Sequence, residues 1–277
     1  MIAADLITTE ADLGLAEGYT LRVQRLLPAN AAAQRPTLVF LHDSLGCIRL
    51  WRDFPARVAA ATGCPALVYD RRGYGQSSAF ADATRTNQYL EQEAPVLRQV
   101  LDAYHIEQAI LFGHSDGGSI ALVAAALYSE RITGVITEGA HVFVEDLTLA
   151  GIREAQQQYR STNLPERLAR YHGTKTTAVF SAWADTWLAP AFRSWNIEAY
   201  LPRIQCPVLA LQGEADEYGT VAQVQAIAEQ TGGPARTVLL PGAAHTPHKE
   251  APTETLQLAT SFVQQIPASA TAGVALG

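Results

Sequence analysis

Cysteine, runs of basic charge and long apolar spans are all scarce in this sequence. Its three cysteines, Cys47, Cys64 and Cys206, are odd in number and far apart. That argues against a disulfide framework and against a cysteine metal pattern. Cys64 and Cys206 each precede a proline that opens an apolar run, the setting of a small core residue. No apolar stretch reaches the ~18 residues of a membrane-crossing helix. The first ten residues carry Asp5 and Glu10 and lack a basic start followed by a long apolar core, so no signal peptide is expected. Charged residues make up only 17%, and the formal net charge is −7. That balance argues against nucleic acid and against an anionic membrane surface as partners. The expectation is a soluble cytoplasmic protein with reduced thiols. Oligomeric state is not legible from composition.

What the chain has in quantity is apolar residues, 48% of 277. That suffices for one large α/β domain, or one domain carrying an insertion. Tyr19 to Leu27 alternates apolar and polar, as a half-exposed edge strand would. Thr37 to Leu41, Pro65 to Tyr69, Ala109 to Phe112, Ile132 to Thr137, Pro207 to Leu211 and Arg236 to Leu240 read as further strands. Helices are expected over 51–61, 88–104, 118–127, 221–230 and 252–265, with Pro95 inside the second. Strands alternating with helices specify a mostly parallel sheet with helices on both faces.

From His141 to about Tyr200 the alternation stops. This stretch is helical in composition and holds Trp183, Trp187 and Trp195, with Phe143, Phe180 and Phe192. A break of about 60 residues is too long for a structureless loop in a compact domain. Residues 267–277 have no period and read as a frayed tail.

Polar turns follow the strands: 42–46, 70–75, Ser115, 138–141, 214–218 and His245. Sites in parallel sheets lie at the carboxyl ends of strands, so these turns point to one shared site. The most informative stretch is Ala109 to Ile120. An apolar strand runs into Gly113-His-Ser-Asp-Gly117, a G-x-S-x-G pattern, and then into helix formers. Strand, tight turn and helix are the context a nucleophile elbow requires. Ser115 would sit in a strained conformation at a helix N-terminus, where backbone N–H groups stabilise an oxyanion.

A serine nucleophile needs a base, and the base needs an acid. Asp216 follows one late strand, with Glu214 and Glu217 as rival acids. His245 follows the last, with His248 as rival base. With Gly113 to Gly118, Asp70 to Ser77, the Gly213-Glu-Ala-Asp216 loop and the late histidine, the chain resembles the α/β-hydrolase superfamily from about residue 19 to 266. The order Ser, Asp, His is that fold's. The resemblance implies the α/β-hydrolase fold, with core 1–140 and 201–266 and a helical cap insertion over 141–200. It implies Ser115, Asp216 and His245 as catalytic residues, with no cofactor and no metal. It implies the backbone N–H groups of Ser44 and Asp116 as the oxyanion hole. Asp43 stands where that superfamily often has glycine, and aspartate reaches glycine's backbone conformations at greater cost. Asp43 and Asp116 near the nucleophile would disfavour anionic acyl groups.

His141, Phe143, Trp183, Trp187 and Phe192 are candidates for an apolar acyl pocket, with Trp51 and Phe54 as further ones. The same aromatics serve equally as the core of a helical subdomain. His114 is read as structural and facing away from the site, His248 as solvated or helix-capping, and Arg71 and Arg72 as structural. The function implied is hydrolysis of a carboxylic ester or related acyl bond in a small-molecule substrate. Ser115 excludes haloalkane dehalogenases and epoxide hydrolases, which use aspartate there. Carbon–carbon bond hydrolases, lactonases, thioesterases and cofactor-free haloperoxidases share the same three residues. A non-catalytic ligand receptor that keeps the triad is the alternative from another class.

Overall fold

The computed structural model describes residues 6–29, 35–81 and 85–267. Its strands are β1 Leu6–Gly14, β2 Thr20–Pro28, β3 Thr37–Leu41, β4 Ala66–Tyr69, β5 Ala109–His114, β6 Ile132–Glu138, β7 Val208–Gly213 and β8 Ala235–Leu240. They form one sheet in the order β1-β2-β4-β3-β5-β6-β7-β8. The β1/β2 and β2/β4 pairings are antiparallel, and those from β4 to β8 are parallel. This is the α/β-hydrolase fold.

The helices are α1 Phe54–Thr62, α2 Tyr89–Ala103, α3 Asp116–Leu127, α4 Asp146–Ser161, α5 Leu164–His172, α6 Thr176–Leu188, α7 Val221–Gln230, α8 Pro247–Glu250 and α9 Pro252–Gln265. Helices α4 to α6 lie between β6 and β7, in the stretch where the βα rhythm breaks.

Strand β5 shows why the sheet is covered on both faces. All six of its residues are buried, and successive side chains enter opposite cores. Ala109 and Leu111 pack with α2 and α3 residues such as Leu97 and Ile120. Ile110 and Phe112 pack with Val58 of α1 and Phe262 of α9. Helix α3 is buried from Asp116 to Ala126, so it has no polar face to show. It is wedged between β5, β6 and α2, which holds its N-terminus still under Ser115.

Two local expectations need correction, and a third falls outside the described residues. Residues 20–28 are not the sheet's edge, because β1 pairs along their full length and takes that place. The β1 sequence Leu-Ile-Thr-Thr-Glu-Ala-Asp-Leu-Gly is mostly solvent-exposed, so no buried face marks it as a strand. The helix expected from Trp51 is a 3₁₀ turn at Ile48–Trp51, then α1 from Phe54. Pro55 has no N–H to give and sits in the first turn, where none is needed. Finally, the tail expected to fray lies, beyond Pro267, outside the described residues.

Candidate active site

Ser115 sits between the end of β5 and the start of α3 with φ 53° and ψ −119°, a conformation costly for any residue with a side chain. Its surroundings enforce it. Ser115 N–H donates to the Glu138 carbonyl at 2.9 Å, and Gly118 N–H donates to the Ser115 carbonyl at 2.8 Å. A Cβ at Gly113 would collide with the Gly117 carbonyl, and one at Gly117 with the Leu41 carbonyl. Glycine at both positions is what lets strand and helix cross this closely. The Ser115 hydroxyl opens onto a cavity of about 410 Å³ at the carboxyl edge of the sheet.

His245 lines the same cavity. Its Nδ1 lies 2.9 Å from Asp216 Oδ1, which also accepts from Tyr218 N–H at 2.9 Å and Gly219 N–H at 3.2 Å. Burial works to raise the Asp216 pKa, but the His245 bond and these N–H groups hold it below the usual carboxylate value. With Nδ1 engaged by Asp216, Nε2 is the nitrogen left to serve Ser115. The ring rests on Gly139, where a Cβ would come within 2.8 Å of His245 Cε1. The rival acids are elsewhere. Glu214 is exposed, and Glu217 accepts the His245 backbone N–H at 3.2 Å rather than meeting the ring.

His248, expected to be solvated, is buried. Its Nδ1 bonds Glu138 Oε1, and its backbone N–H donates to Glu138 Oε2 at 3.1 Å. Burial opposes the charge on Glu138, but His248 and His114 beside it keep its pKa below the ordinary value. His114, expected to face away, lines the cavity, and its ring centroid lies 5.2 Å from that of His245. His114 ends β5 and His245 follows β8, so the twist of the sheet gathers them. Neither neighbour is local in sequence, and no local pattern announces the contact.

The loop after β3 carries Ser44. The Asp43 carbonyl accepts from His42 Nδ1 at 2.8 Å and from Arg71 Nη2 at 3.0 Å. His42 Nε2 in turn accepts from Arg71 N–H at 3.0 Å, so this imidazole is neutral with its proton on Nδ1. Burial pushes its pKa well down, in agreement. A trans peptide sets the N–H opposite the carbonyl. Two donors on the Asp43 carbonyl therefore aim the Ser44 N–H the other way. Asp43 has no positive φ, so it holds this place without a glycine-only conformation. Neither Ser44 N–H nor Asp116 N–H donates to a protein acceptor among the described residues. The Asp116 side chain is also buried. Oδ2 accepts from Tyr89 Oη at 3.0 Å and faces Arg71 Nη2 at 3.6 Å.

Of the expected pocket residues, His141, Trp183 and Trp187 line the cavity. Phe143 and Phe192 do not, which corrects that expectation. Phe192 is fully buried and packs on Tyr89, Trp187 and Trp195, so its ring fills the base of the helical layer. Phe143 is held where its backbone bridges to Asn196. Trp51 and Phe54 pack on Phe112 beneath the sheet instead. The cavity also takes Asp43, expected near the nucleophile, and Thr148, Ile152, Leu164, Arg167 and Tyr218, which were not foreseen as pocket-lining. Tyr218 is within reach of sequence reasoning, being two residues past Asp216. Its ring lies 4.8 Å from that of His245. His141 Nε2 lies 3.1 Å from the Tyr218 carbonyl and, since a carbonyl only accepts, carries the proton. Burial lowers its pKa, so it is neutral with Nδ1 bare.

One cluster has metal-ligand chemistry. His114, Glu138 and His248 bring one ligand-type atom each within 4.8 Å of one another. Within it His248 Nδ1 bonds Glu138 and His114 Nε2 donates to the His245 carbonyl, while His248 Nε2 is buried with no hydrogen-bond partner among the described residues. Among the described residues no helix is long and apolar enough to cross a membrane.

The family model for the alpha/beta hydrolase fold matches residues 36–200. Serine hydrolase BPHL of Homo sapiens is 30% identical over 209 residues, covering 72% of this chain and 69% of the relative. The 2-succinyl-6-hydroxy-2,4-cyclohexadiene-1-carboxylate synthase of Enterobacter sp. (strain 638) is 27% identical over 195 residues, covering 70% and 67%. Among solved structures, a carboxylesterase structure from Nitrososphaera gargenis superposes with a TM-score of 0.74 at 18% identity, covering 92% of this chain and 98% of that one. The enol-lactonase of Burkholderia xenovorans gives 0.71 at 18%, covering 92% and 100%. At such identities these structures speak to the fold.

Proposed function

Because the chain belongs to the α/β-hydrolase family and is an enzyme of the hydrolase type, we propose that it cleaves a carboxylic ester or related acyl bond through Ser115, His245 and Asp216. One observation carries this reading. A serine in a strained elbow shares a cavity with a histidine whose Nδ1 is held by a buried carboxylate.

In this reading Ser115 Oγ attacks the acyl carbon, and its proton passes to His245 Nε2. Asp216 keeps the imidazole oriented and stabilises its cationic form. The carbonyl oxygen, now an oxyanion, accepts from Ser44 N–H and Asp116 N–H. The carbon–oxygen bond breaks as His245 returns the proton to the leaving alkoxide. Water then adds to the acyl-enzyme with the same base and frees the acid and Ser115. No cofactor enters any step. The carboxylates of Asp43 and Asp116 beside the nucleophile favour an acyl group that is neutral near its carbonyl. Helices α4 to α6 act as the cap, with Trp183 and Trp187 as its apolar wall. Three unpaired cysteines suit a small-molecule enzyme of a reducing compartment.

A lactone, or a carbon–carbon bond beside a ketone, presents the same carbonyl to the same atoms. The enol-lactonase and the synthase found by comparison make these the second reading. A fluorophosphonate probe tests the first step common to both. The expected result is a single adduct on the Ser115 peptide, with turnover of p-nitrophenyl esters. Binding of small esters with neither adduct nor turnover would favour a ligand receptor.

A further inference from the structure

His114 lies one residue before the proposed nucleophile and takes no part in the steps just described. It is 3% exposed and stands at the end of β5, which is paired with β3 on one side and β6 on the other. Its backbone is therefore among the least free in the molecule. Its ring reaches two other loops. Nε2 lies 2.9 Å from the His245 carbonyl oxygen, which can only accept, so Nε2 carries the hydrogen. Nδ1 lies 3.6 Å from Asp43 Oδ1. That carboxylate is itself seated in the loop after β3, taking Leu45 N–H at 3.4 Å and packing against Gly46, where a Cβ would overlap it.

From this geometry we infer that His114 is a positioning residue, tying the loop of the base and the loop of the oxyanion donor to the strand that carries the nucleophile. The inference rests on the roles proposed above for Ser115, His245 and Ser44.

The physical reason is one of reference points. Ser115 is located by β5, His245 by the loop after β8, and Ser44 by the loop after β3. A misplacement of about 1 Å between such groups costs on the order of 10²-fold in rate. A rigid imidazole on β5 that bonds the His245 main chain and faces Asp43 measures both loops from the same strand. The charged and titratable groups around it are Asp43, Glu138, His245, His248 and Lys249. Burial opposes a charge on His114, but Asp43 and Glu138 hold its pKa above the ordinary histidine value. The ring gives its Nε2–H to the His245 carbonyl and turns Nδ1 toward Asp43.

Substitution separates positioning from packing. Phe keeps the aromatic volume and loses both the His245 bond and the contact with Asp43. Gln places an N–H near the Nε2 position and Asn near the Nδ1 position. The expected result for His114→Phe is a kcat lower by about 10–100-fold, with KM within about twofold. His114→Gln should return kcat to within about threefold of the parent. Rates are normalised to fluorophosphonate-reactive sites, so unfolded protein does not count. Parental kcat in the Phe variant would overturn the inference, and so would a Gln variant as impaired as Phe. Should the Phe variant fail to fold, Gln and Asn carry the comparison. Gln is expected to be the more active, and equality of the two defeats the role of the His245 bond. A readout without turnover is the low-field proton resonance of His245 Nδ1–H on Asp216. It should persist in His114→Gln and broaden in His114→Phe, and no change in either variant would refute the tie. This signal needs no chemistry at Ser115, so a failed hydrolase assay and a failed inference are told apart.

Discussion

The sheet-side wall of the cavity presents Asp43, His114, Asp116 and His245, whereas α4 to α6 present mainly Ile152, Ala155, Leu164, Trp183 and Trp187. On the first wall each of these side chains has a named partner: Leu45 N–H for Asp43, Asp216 for His245, the His245 carbonyl for His114, Tyr89 for Asp116. Two side chains of the second wall bond to the core, Trp187 Nε1 to Tyr89 Oη at 2.8 Å and Thr148 Oγ1 to the Tyr218 carbonyl at 2.5 Å. Apart from Gln158 and Arg167, the rest of its lining is apolar. Directional bonds hold one geometry, while apolar packing accepts changes of shape. The chemistry is thus expected on the wall held by directional bonds, and the choice of substrate on the wall shaped by apolar packing.

The hardest test of that division is Ser115→Ala. It should lower kcat by about 10⁴-fold or more with the fold intact by circular dichroism. A purified variant keeping more than a few per cent of the rate would place the nucleophile elsewhere. Next is the acid. Asp216→Asn should cost about 10³–10⁴-fold in kcat, while Glu214→Gln and Glu217→Gln stay within several-fold. Equal losses in all three would mean that the Asp216–His245 bond does not orient the base.

The helical wall should answer differently. Phe192→Ala removes a ring that never reaches the cavity and should cost roughly 3–5 kcal/mol of stability in urea melts. It should leave the ratio of p-nitrophenyl butyrate to acetate turnover as it was. Trp183→Ala should shift that ratio roughly fivefold and spare the rate on acetate. A changed ratio in the first variant and none in the second would invert the assignment of the two aromatics.

The smallest expected effect is one of pH. The folded pKa of Asp216 is depressed, so its contribution is complete above the ordinary carboxylate value and disappears only as pH falls through the lower folded value. Asp216 should therefore add no step to kcat between about pH 5 and pH 9. A step there that vanishes in Asp216→Asn would show that burial outweighs the His245 bond.

Much of the sheet-side wall is legible in the amino-acid sequence. Gly113-His-Ser-Asp-Gly117 after an apolar run specifies a strand, a turn and a helix because the pattern is local and each residue type answers a local steric demand. Strands such as β5 and β7 are legible for a related reason, since burial on both faces writes a continuous apolar run. Strand β1, exposed along most of its length, has no such signature. The helical character of 141–200 can be read from the broken rhythm, but not the orientation of its rings. Trp187 lines the cavity while Phe192, five residues on, is sealed beneath it. Both are large aromatics in one helical stretch, and composition treats them alike.

The sequence by itself determined the order of the strands after β1 and of the helices that alternate with them, the strained serine and the set of polar turns at the strand ends. Only the tertiary structure decided which of those turns meet. His114 and the His245 carbonyl are 131 residues apart along the chain, and His248 and Glu138 are 110 apart. Their contacts depend on parallel strands being laid side by side and twisted until the turns after them converge. The reason is physical. A local pattern records what one segment needs to fold, whereas a contact between strand ends is fixed by the register of the whole sheet.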